Sequence, residues 1–435
     1  MSVPGDEDQR TAVAPTARGG WFTALSGHDR RAFFSSAAGW GLDAFDYMIF
    51  PLTLTAIATT FALTKSESGW IATTTLLVSA VGGVLAGMLA DRIGRVRTLM
   101  ITIGVYSVFT LLCGFAPNYP TLLVFRTLLG LGFGGEWAAG AILIAEIAEP
   151  RYRGRVLGAV QSAWAVGWGL AVVAYTILFS VLPADTAWRA MFWVGILPAL
   201  LILYVRRGVK EPRVFVETRQ AVRAERAPRA ALASSIVQIF RTDLLKTTIF
   251  GALLATGVQG GYYAIFTWLP AYLKSARGLT VVGTGGYLTV VIVGSFIGYV
   301  LSGYINDWLG RRLTFALFSI VSGALIVAYT EIPSGENGLL LVLGFPLGFF
   351  ASGIFSGFGS YLAELYPTRA RGAGQGFCYN FGRALGALFP AAIGYLSGSI
   401  GLGGAIGFGA LGYLIALISL LFLPETRGKQ LVAVE

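Results

Sequence analysis

One histidine, two cysteines and little charge mark this chain: Asp, Glu, Lys and Arg together make up 12% of its 435 residues. Each shortage excludes something. Cys113 and Cys378 both fall inside apolar runs, so neither a disulfide framework nor a thiolate metal site is indicated. His28 is the only imidazole and precedes the first apolar run, which leaves proton handling deeper in the chain to carboxylates. No nucleophile elbow, phosphate loop or metal-ligand cluster occurs, so an enzyme embedded in a membrane has no support. Acids are scarcer than bases, 22 against 32, for a net charge of +10. The bases sit in short loops between apolar runs, which argues for a topological cause rather than a nucleic-acid partner.

Apolar residues are what the chain has. They make up 55% of it, at a mean hydropathy of +0.70, too much for a soluble domain to hide. Runs long enough to span a bilayer occur at roughly 32–59, 68–90, 98–116, 121–147, 156–181 and 188–205, each near the ~20 residues required. Six more follow at roughly 247–273, 281–305, 313–331, 338–361, 373–398 and 402–422. The expected organisation is a polar tail over 1–30, a six-helix bundle over 31–205, a basic linker over 206–245, a second bundle over 246–423 and a short tail over 424–435. The first 30 residues lack the apolar core of a signal peptide.

The halves are copies. Gly87-Met-Leu-Ala-Asp91-Arg92-Ile-Gly94-Arg95 returns as Gly303-Tyr-Ile-Asn-Asp307-Trp-Leu-Gly310-Arg311-Arg312, with Gly87, Asp91, Gly94 and Arg95 each 216 residues before its counterpart. Both stretches lie between apolar runs and read as tight polar hairpins, with glycines for close helix approach and a sharp turn. Glu146 to Arg153 likewise returns as Glu364 to Arg371, 218 residues on. The hairpin resembles the G-x-x-x-D-R-x-G-R signature of the major facilitator superfamily, and the resemblance covers roughly Arg31 to Gly428. It implies an all-α membrane protein of twelve helices in two pseudo-symmetric six-helix bundles, working by alternating access.

With both termini inside, about 26 of the 32 Lys and Arg face the cytoplasm; Lys65, Arg189, Lys274 and Arg277 lie outside, and Arg126 and Arg383 lie within spans. That asymmetry predicts a multi-pass protein of the cell inner membrane with cytoplasmic termini. Lys210-Glu211-Pro212 after span 6 and Pro424-Glu425-Thr426-Arg427-Gly428 after span 12 resemble the P-E-S/T-x-G patterns of sugar porters and their organic-acid relatives. The resemblance implies a cytoplasmic gate of Asp91, Arg92, Arg95, Glu146 and Arg153 in one half and Asp307, Arg311, Arg312, Glu364 and Arg371 in the other. Ordinary charge pairing at helix ends would use the same residues.

Charges inside spans need a reason, because a carboxylate at mid-bilayer costs about 2.5–3.5 kcal/mol on insertion scales. Asp43 and Asp46 share one face of span 1 at i, i+3, and two such neighbours cannot both ionise cheaply. Asp46, nearer the middle, is the better candidate for a proton carrier. Span 4 carries Arg126, then a glycine ladder, then Glu136 about 15 Å deeper. Asp43, Asp46, Glu136 and Arg126 together suggest a charge-exchange network for proton coupling, against the alternative of permanent structural pairs.

The helix 1 Asp-x-x-Asp resembles that of the aromatic acid:proton symporters, and Arg126 to Glu136 resembles the metabolite:proton and sialate:proton groups. Taken together, sialate/monocarboxylate-type symporters look nearest, although span 7 lacks the His and Asp of the lactate permease signature. On span 7, Gln259, Tyr262, Tyr263 and Phe266 form one stripe, facing either a central cavity or a neighbouring helix. Gln161, Trp164 and Trp168 make a weaker stripe on span 5, where packing is the readier explanation. On span 11, Tyr379 and Asn380 precede Arg383, the one basic residue within a span of the second half. Its guanidinium can hold a substrate carboxylate bidentately, pair with an acid of the other half, or snorkel.

These observations predict proton-coupled symport of a small organic anion, such as a monocarboxylate, a sialic-acid-like acid or an aromatic acid. The proton gradient supplies the energy, no cofactor is needed, lipid is the other partner, and one chain suffices. Sugar uptake is opposed by Arg383 and the helix 1 acids; drug efflux by antiport is opposed by Ala165-Val-Gly167-Trp-Gly169, which lacks the antiporter Gly-Pro pattern. A nutrient sensor would need a longer cytoplasmic extension.

Overall fold

Both hairpins turn on a glycine. Gly94 and Gly310, 216 residues apart, sit at φ 109° and φ 95°, a region closed to residues with a side chain, and each ends one helix and starts the next. The opposite ends of the same helices match too. Thr64 and Thr280, again 216 apart, cap them through their hydroxyls, and Glu67 completes a capping box with Thr64. The computed structural model describes the backbone of residues 26–147, 153–197, 199–200, 204 and 237–427 except 334, 368 and 369, together with Phe22. Side chains at 28, 91, 92, 95, 136–147, 153 and 154 lie outside the description, as do most of the expected N-terminal tail and linker and residues 428–435.

The first half comprises α1 (Gly27–Thr60), α2 (Lys65–Ile93), α3 (Arg95–Cys113), α4 (Tyr119–Ile147), α5 (Arg153–Val181) and α6 (Ala184–Val194). The second comprises α7 (Thr242–Ala271), α8 (Val281–Leu309), α9 (Arg311–Glu331), α10 (Asn337–Gly353), α11 (Phe358–Leu365), α12 (Arg371–Gly386), α13 (Leu388–Gly407) and α14 (Ala410–Leu420). A 3-10 turn at Ile354–Gly357 joins α10 to α11 in one span. The eleventh span runs from α12 into α13, which breaks at Gly401 (φ 74°), and the rest of α13 with α14 makes the twelfth. Among the described residues nine helices are long and apolar enough to cross a membrane, and α4, α6 and α14 complete the twelve. Helix α7 begins at Thr242, inside the stretch expected to be linker.

Within each half, helices cross at glycine. A methyl group on Gly134 of α4 would lie 1.7 Å from the Ser79 carbonyl oxygen of α2, and one on Gly348 of α10 would lie 1.9 Å from the Val291 oxygen of α8. Such contact lets van der Waals attraction hold helices together where lipid offers no hydrophobic drive. Gly87 departs from expectation: a methyl there would meet nothing within 4 Å, so this glycine serves no close approach in the observed arrangement.

The halves meet along α5 with α8, α1 with α7, and α2 with α12 and α13. The last contact is tight toward the Lys65 end. The Thr73 hydroxyl donates to the Ala387 carbonyl at 2.7 Å and accepts from the Ala391 N–H at 3.2 Å. Toward the hairpin end, Gly87, Gly372 and Gly376 face open space. A cavity lies between.

Candidate functional site

The cavity is partly open, takes in about 400 Å³ of empty space counting its open side, and is built by both halves. From the first, α1 supplies Trp40 and Tyr47, α4 Phe133, and α5 Gln161 and Trp164. From the second come Tyr262 and Tyr263 of α7, Tyr299 of α8, Phe355 of the 3-10 turn, and Tyr379 and Arg383 of α12. Helical spacing explains the selection. Trp40 and Tyr47 recur two turns apart, Gln161 and Trp164 one turn apart, and Tyr379 and Arg383 one turn apart, each pair on one face.

Rings form the walls. Tyr47 stacks on Phe133 at 5.6 Å and 17°, and Trp164 lies 5.8 Å from Tyr47 and 5.0 Å from Trp40. The halves are linked across this layer, since the Trp164 indole donates to the Tyr262 hydroxyl at 3.0 Å and Tyr47 faces Tyr263 at 6.2 Å. Trp168 packs edge-on against Phe266 at 5.0 Å, one turn further along both helices, and stands outside the lining.

Among the described residues Arg383 is the sole charged side chain in that lining. It is 3% exposed, and its guanidinium carbon lies 5.1 Å from the Tyr379 ring centre and 5.8 Å from that of Phe133. Its Nε and Nη1 have no hydrogen-bond partner among the described residues. The nearby Asp43 carboxylate contributes to its electrostatic surroundings. Buried donors of this kind cost free energy until something accepts from them, and a carboxylate fits the fork.

Two residues expected in the site stand behind it. The Gln259 amide donates to the Tyr379 carbonyl at 2.9 Å and accepts from the Tyr263 hydroxyl at 3.3 Å, bracing two lining tyrosines. The Asn380 amide donates to the Gly376 carbonyl at 2.9 Å and lies against Gly83 of α2, at the contact between halves. Sequence reasoning did not single out Trp40, Tyr47, Phe133, Tyr299 or Phe355. The spacing of Trp40 and Tyr47 around Asp43 was a readable signal; the other three carry none without the fold.

Asp46 points elsewhere. It is fully buried, and its Oδ1 accepts from the Thr110 hydroxyl of α3 at 2.5 Å and faces Gly195 beyond α6. Its Oδ2 has no hydrogen-bond partner. Arg126, 1% exposed, stacks 4.8 Å above the Phe50 ring, one turn along α1 from Asp46, with Nε and Nη1 unpartnered. Asp43, Asp46 and Arg126 thus gather around one stretch of α1, while the Glu136 side chain lies outside the described residues. Helix α1 therefore carries cavity rings on one face and a buried acid on another.

At the hairpin end of the second half, Arg311 bonds Glu364 through Nε at 3.2 Å and Nη2 at 3.1 Å, and Asp307 through Nη1 at 2.9 Å. The Thr426 hydroxyl also donates to Glu364, at 2.5 Å. Glu425 caps α9, accepting from the N–H groups of Arg311 and Arg312 at 2.9 Å and from those of Thr426 and Arg427. Burial pushes the Glu425 carboxyl up, but these N–H groups outweigh it and hold it below the ordinary glutamate range. Arg371 donates to the Ala363 carbonyl, and Arg312 enters the network through its backbone. The first-half counterparts Asp91, Arg92, Arg95, Glu146 and Arg153 have side chains outside the described residues.

Comparison with known proteins follows the geometry. A sequence profile of the Major Facilitator Superfamily matches residues 36–388 and 288–434. The chain is similar to a probable 4-methylmuconolactone transporter of Cupriavidus pinatubonensis, 42% identical over 94% of this chain and 93% of that one. It is also similar to a cis,cis-muconate transport protein of Acinetobacter baylyi, 33% identical over 89% and 92%. The crystal structure of a D-xylose–proton symporter superposes with a TM-score of 0.73 at 21% identity, over 93% of this chain and all of that one.

Proposed function

The chain belongs to the major facilitator superfamily and is a membrane transporter rather than an enzyme; from that premise we propose that it takes up a small, flat, unsaturated or aromatic carboxylate together with a proton. The observation that carries this reading is Arg383. Among the described residues it is the sole charge lining a cavity walled by aromatic rings, and two of its nitrogens, Nε and Nη1, lack partners there. A carboxylate would accept from that fork while its planar body stacked against Tyr47, Phe133 and Trp164. A neutral sugar could not offer that fork the paired anionic acceptors of a carboxylate. The relatives named for muconate and 4-methylmuconolactone support an unsaturated organic acid.

Proton coupling follows from charge. Arg383 already shares its field with Asp43, so a substrate carboxylate arriving beside it adds a second negative charge in a poorly solvated place. A proton taken up by the Asp43–Asp46 pair removes that conflict and makes the movement of a monoanion electrically neutral, sparing about 2.3 kcal/mol per 100 mV of membrane potential. On this reading Arg126, which lies over Phe50 within the field of Asp46, exchanges between the acids of this cluster. Movement of the halves about the cavity, breaking the contact of α2 with α12 and α13 at one end and closing the hairpin ends at the other, would expose the site alternately. The ion-pair network of Arg311 and Glu364 with its first-half counterparts is the proposed cytoplasmic gate.

Uptake into proteoliposomes under an inward proton gradient tests the reading, using labelled aromatic, sialic and short hydroxy acids. Accumulation of an acid that collapses with a protonophore supports it. No accumulation of any acid, with a preloaded neutral drug or cation leaving in exchange for protons, would replace symport with efflux.

A further inference from the structure

If Arg383 holds one carboxylate, the lining reached from it past Phe133 and Trp164 decides what the rest of the ligand carries. Two polar groups there lack partners. Gln161 lines the cavity, is partly exposed to it, and makes no hydrogen bond with any described residue. The Trp40 indole N–H, on a side chain 9% exposed, also has no partner among the described residues. Both flank Trp164: Trp40 at 5.0 Å between rings, and Gln161 one helical turn before it. Neither brings charge.

We propose that the cavity selects a ligand bearing a single carboxylate and, away from it, a neutral oxygen function such as a hydroxyl, ketone or lactone, and that Gln161 assisted by Trp40 determines this specificity. The inference rests on the reading of Arg383 as carboxylate anchor. A neutral oxygen accepts from the indole N–H and the Gln161 amide, and a hydroxyl donates back to the amide carbonyl. A second carboxylate at the same place would meet neutral donors alone among the described lining residues, because their one cation, Arg383, is already engaged. Burying an anion without a countercharge is strongly unfavourable. The rings between, Phe133 and Trp164, match a rigid flat spacer joining the two ends.

The test is equilibrium binding to the purified full chain of three probes that share a ring and one carboxylate: benzoate, 4-hydroxybenzoate and terephthalate. Wild type is expected to bind 4-hydroxybenzoate at least about tenfold more tightly than terephthalate. Gln161→Leu should collapse the ratio of 4-hydroxybenzoate to benzoate affinity, and Gln161→Lys should move the ratio of terephthalate to 4-hydroxybenzoate toward the dicarboxylate. Trp40→Phe, which keeps a ring and removes only the N–H donor, gives a second measure of the same ratio. Terephthalate binding as well as 4-hydroxybenzoate, or Gln161→Leu leaving the hydroxyl preference intact, overturns the assignment to Gln161 while the anchor stands. Binding of benzoate that survives Arg383→Ala overturns the anchor and the inference with it.

Discussion

Replacing Arg383 is the perturbation with the largest calculable consequence. Arg383 lines the cavity, and its Nε and Nη1 are buried without hydrogen-bond partners among the described residues. A bidentate carboxylate adds two charge-assisted hydrogen bonds at roughly 1.5–3 kcal/mol each. Arg383→Ala should therefore weaken binding by about 3–6 kcal/mol, or roughly two to four orders of magnitude in Kd. Arg383→Lys keeps the charge but replaces a planar fork by a single ammonium, so an intermediate loss of about tenfold is expected. The assay is the ligand-induced rise in Tm of purified protein in detergent, because a ligand that binds only the folded state stabilises it in proportion to the logarithm of its occupancy. Wild type should show the rise at low concentration, the lysine variant at higher concentration, and the alanine variant at neither. Melting without ligand serves as the folding control. A ligand-induced shift in Arg383→Ala within twofold of the wild-type midpoint would refute the anchor; equal midpoints for Arg383→Lys and wild type would refute bidentate recognition.

Asp46→Asn removes the proposed proton carrier while retaining an acceptor for the Thr110 hydroxyl; accumulation driven by a proton gradient should be lost while exchange of labelled for unlabelled substrate continues. Loss of both, in a folded variant, would count against a coupling role. The Glu425 carboxyl is held below its ordinary value by backbone N–H groups, so its stabilisation is present above the unfolded glutamate range and fades as pH falls through the lowered folded value. Glu425→Gln should therefore be less stable than wild type near neutral pH, by on the order of 1 kcal/mol after solvent screening, and thermal scans from pH 7 to pH 3 should show the gap closing. A gap that widens toward low pH would contradict the capping account. Gly134→Ala puts a methyl 1.7 Å from a backbone oxygen, whereas Gly87→Ala meets nothing within 4 Å. The first should lose several kcal/mol or fail to fold, and the second should express and melt close to wild type, as size-exclusion chromatography and melting curves would show.

Much of the architecture is legible without coordinates because lipid imposes it. Backbone groups in hydrocarbon must bond within their own segment, so apolar runs of the right length have to be helices, and a doubled hairpin has to mean doubled halves. The left-handed turns at Gly94 and Gly310 and the matching caps at Thr64 and Thr280 follow from the same repeat. Single charged residues within spans, such as Arg383, Arg126 and Asp46, stand out in sequence for the same reason: burial without a role is too costly.

What surrounds those charges is another matter. Phe133, Tyr299 and Phe355 are three aromatic residues among many apolar neighbours, and nothing in their spacing separates lining from packing. Gln161 and Trp164 read as packing on α5 until Trp164 is found bonded across the halves to Tyr262. Gln259, on the expected stripe, turns out to brace Tyr263 and Tyr379. Periodicity specifies which residues share a face of one helix; which face meets the cavity is fixed by how twelve helices pack, through glycine contacts between distant segments. The sequence by itself determined the helices, the duplication and the buried charges, because the bilayer penalises every alternative locally. Only the tertiary structure decided which of those charges stands alone before a cavity and which lies against Thr110 or Phe50, because that depends on side chains brought together from opposite halves of the chain.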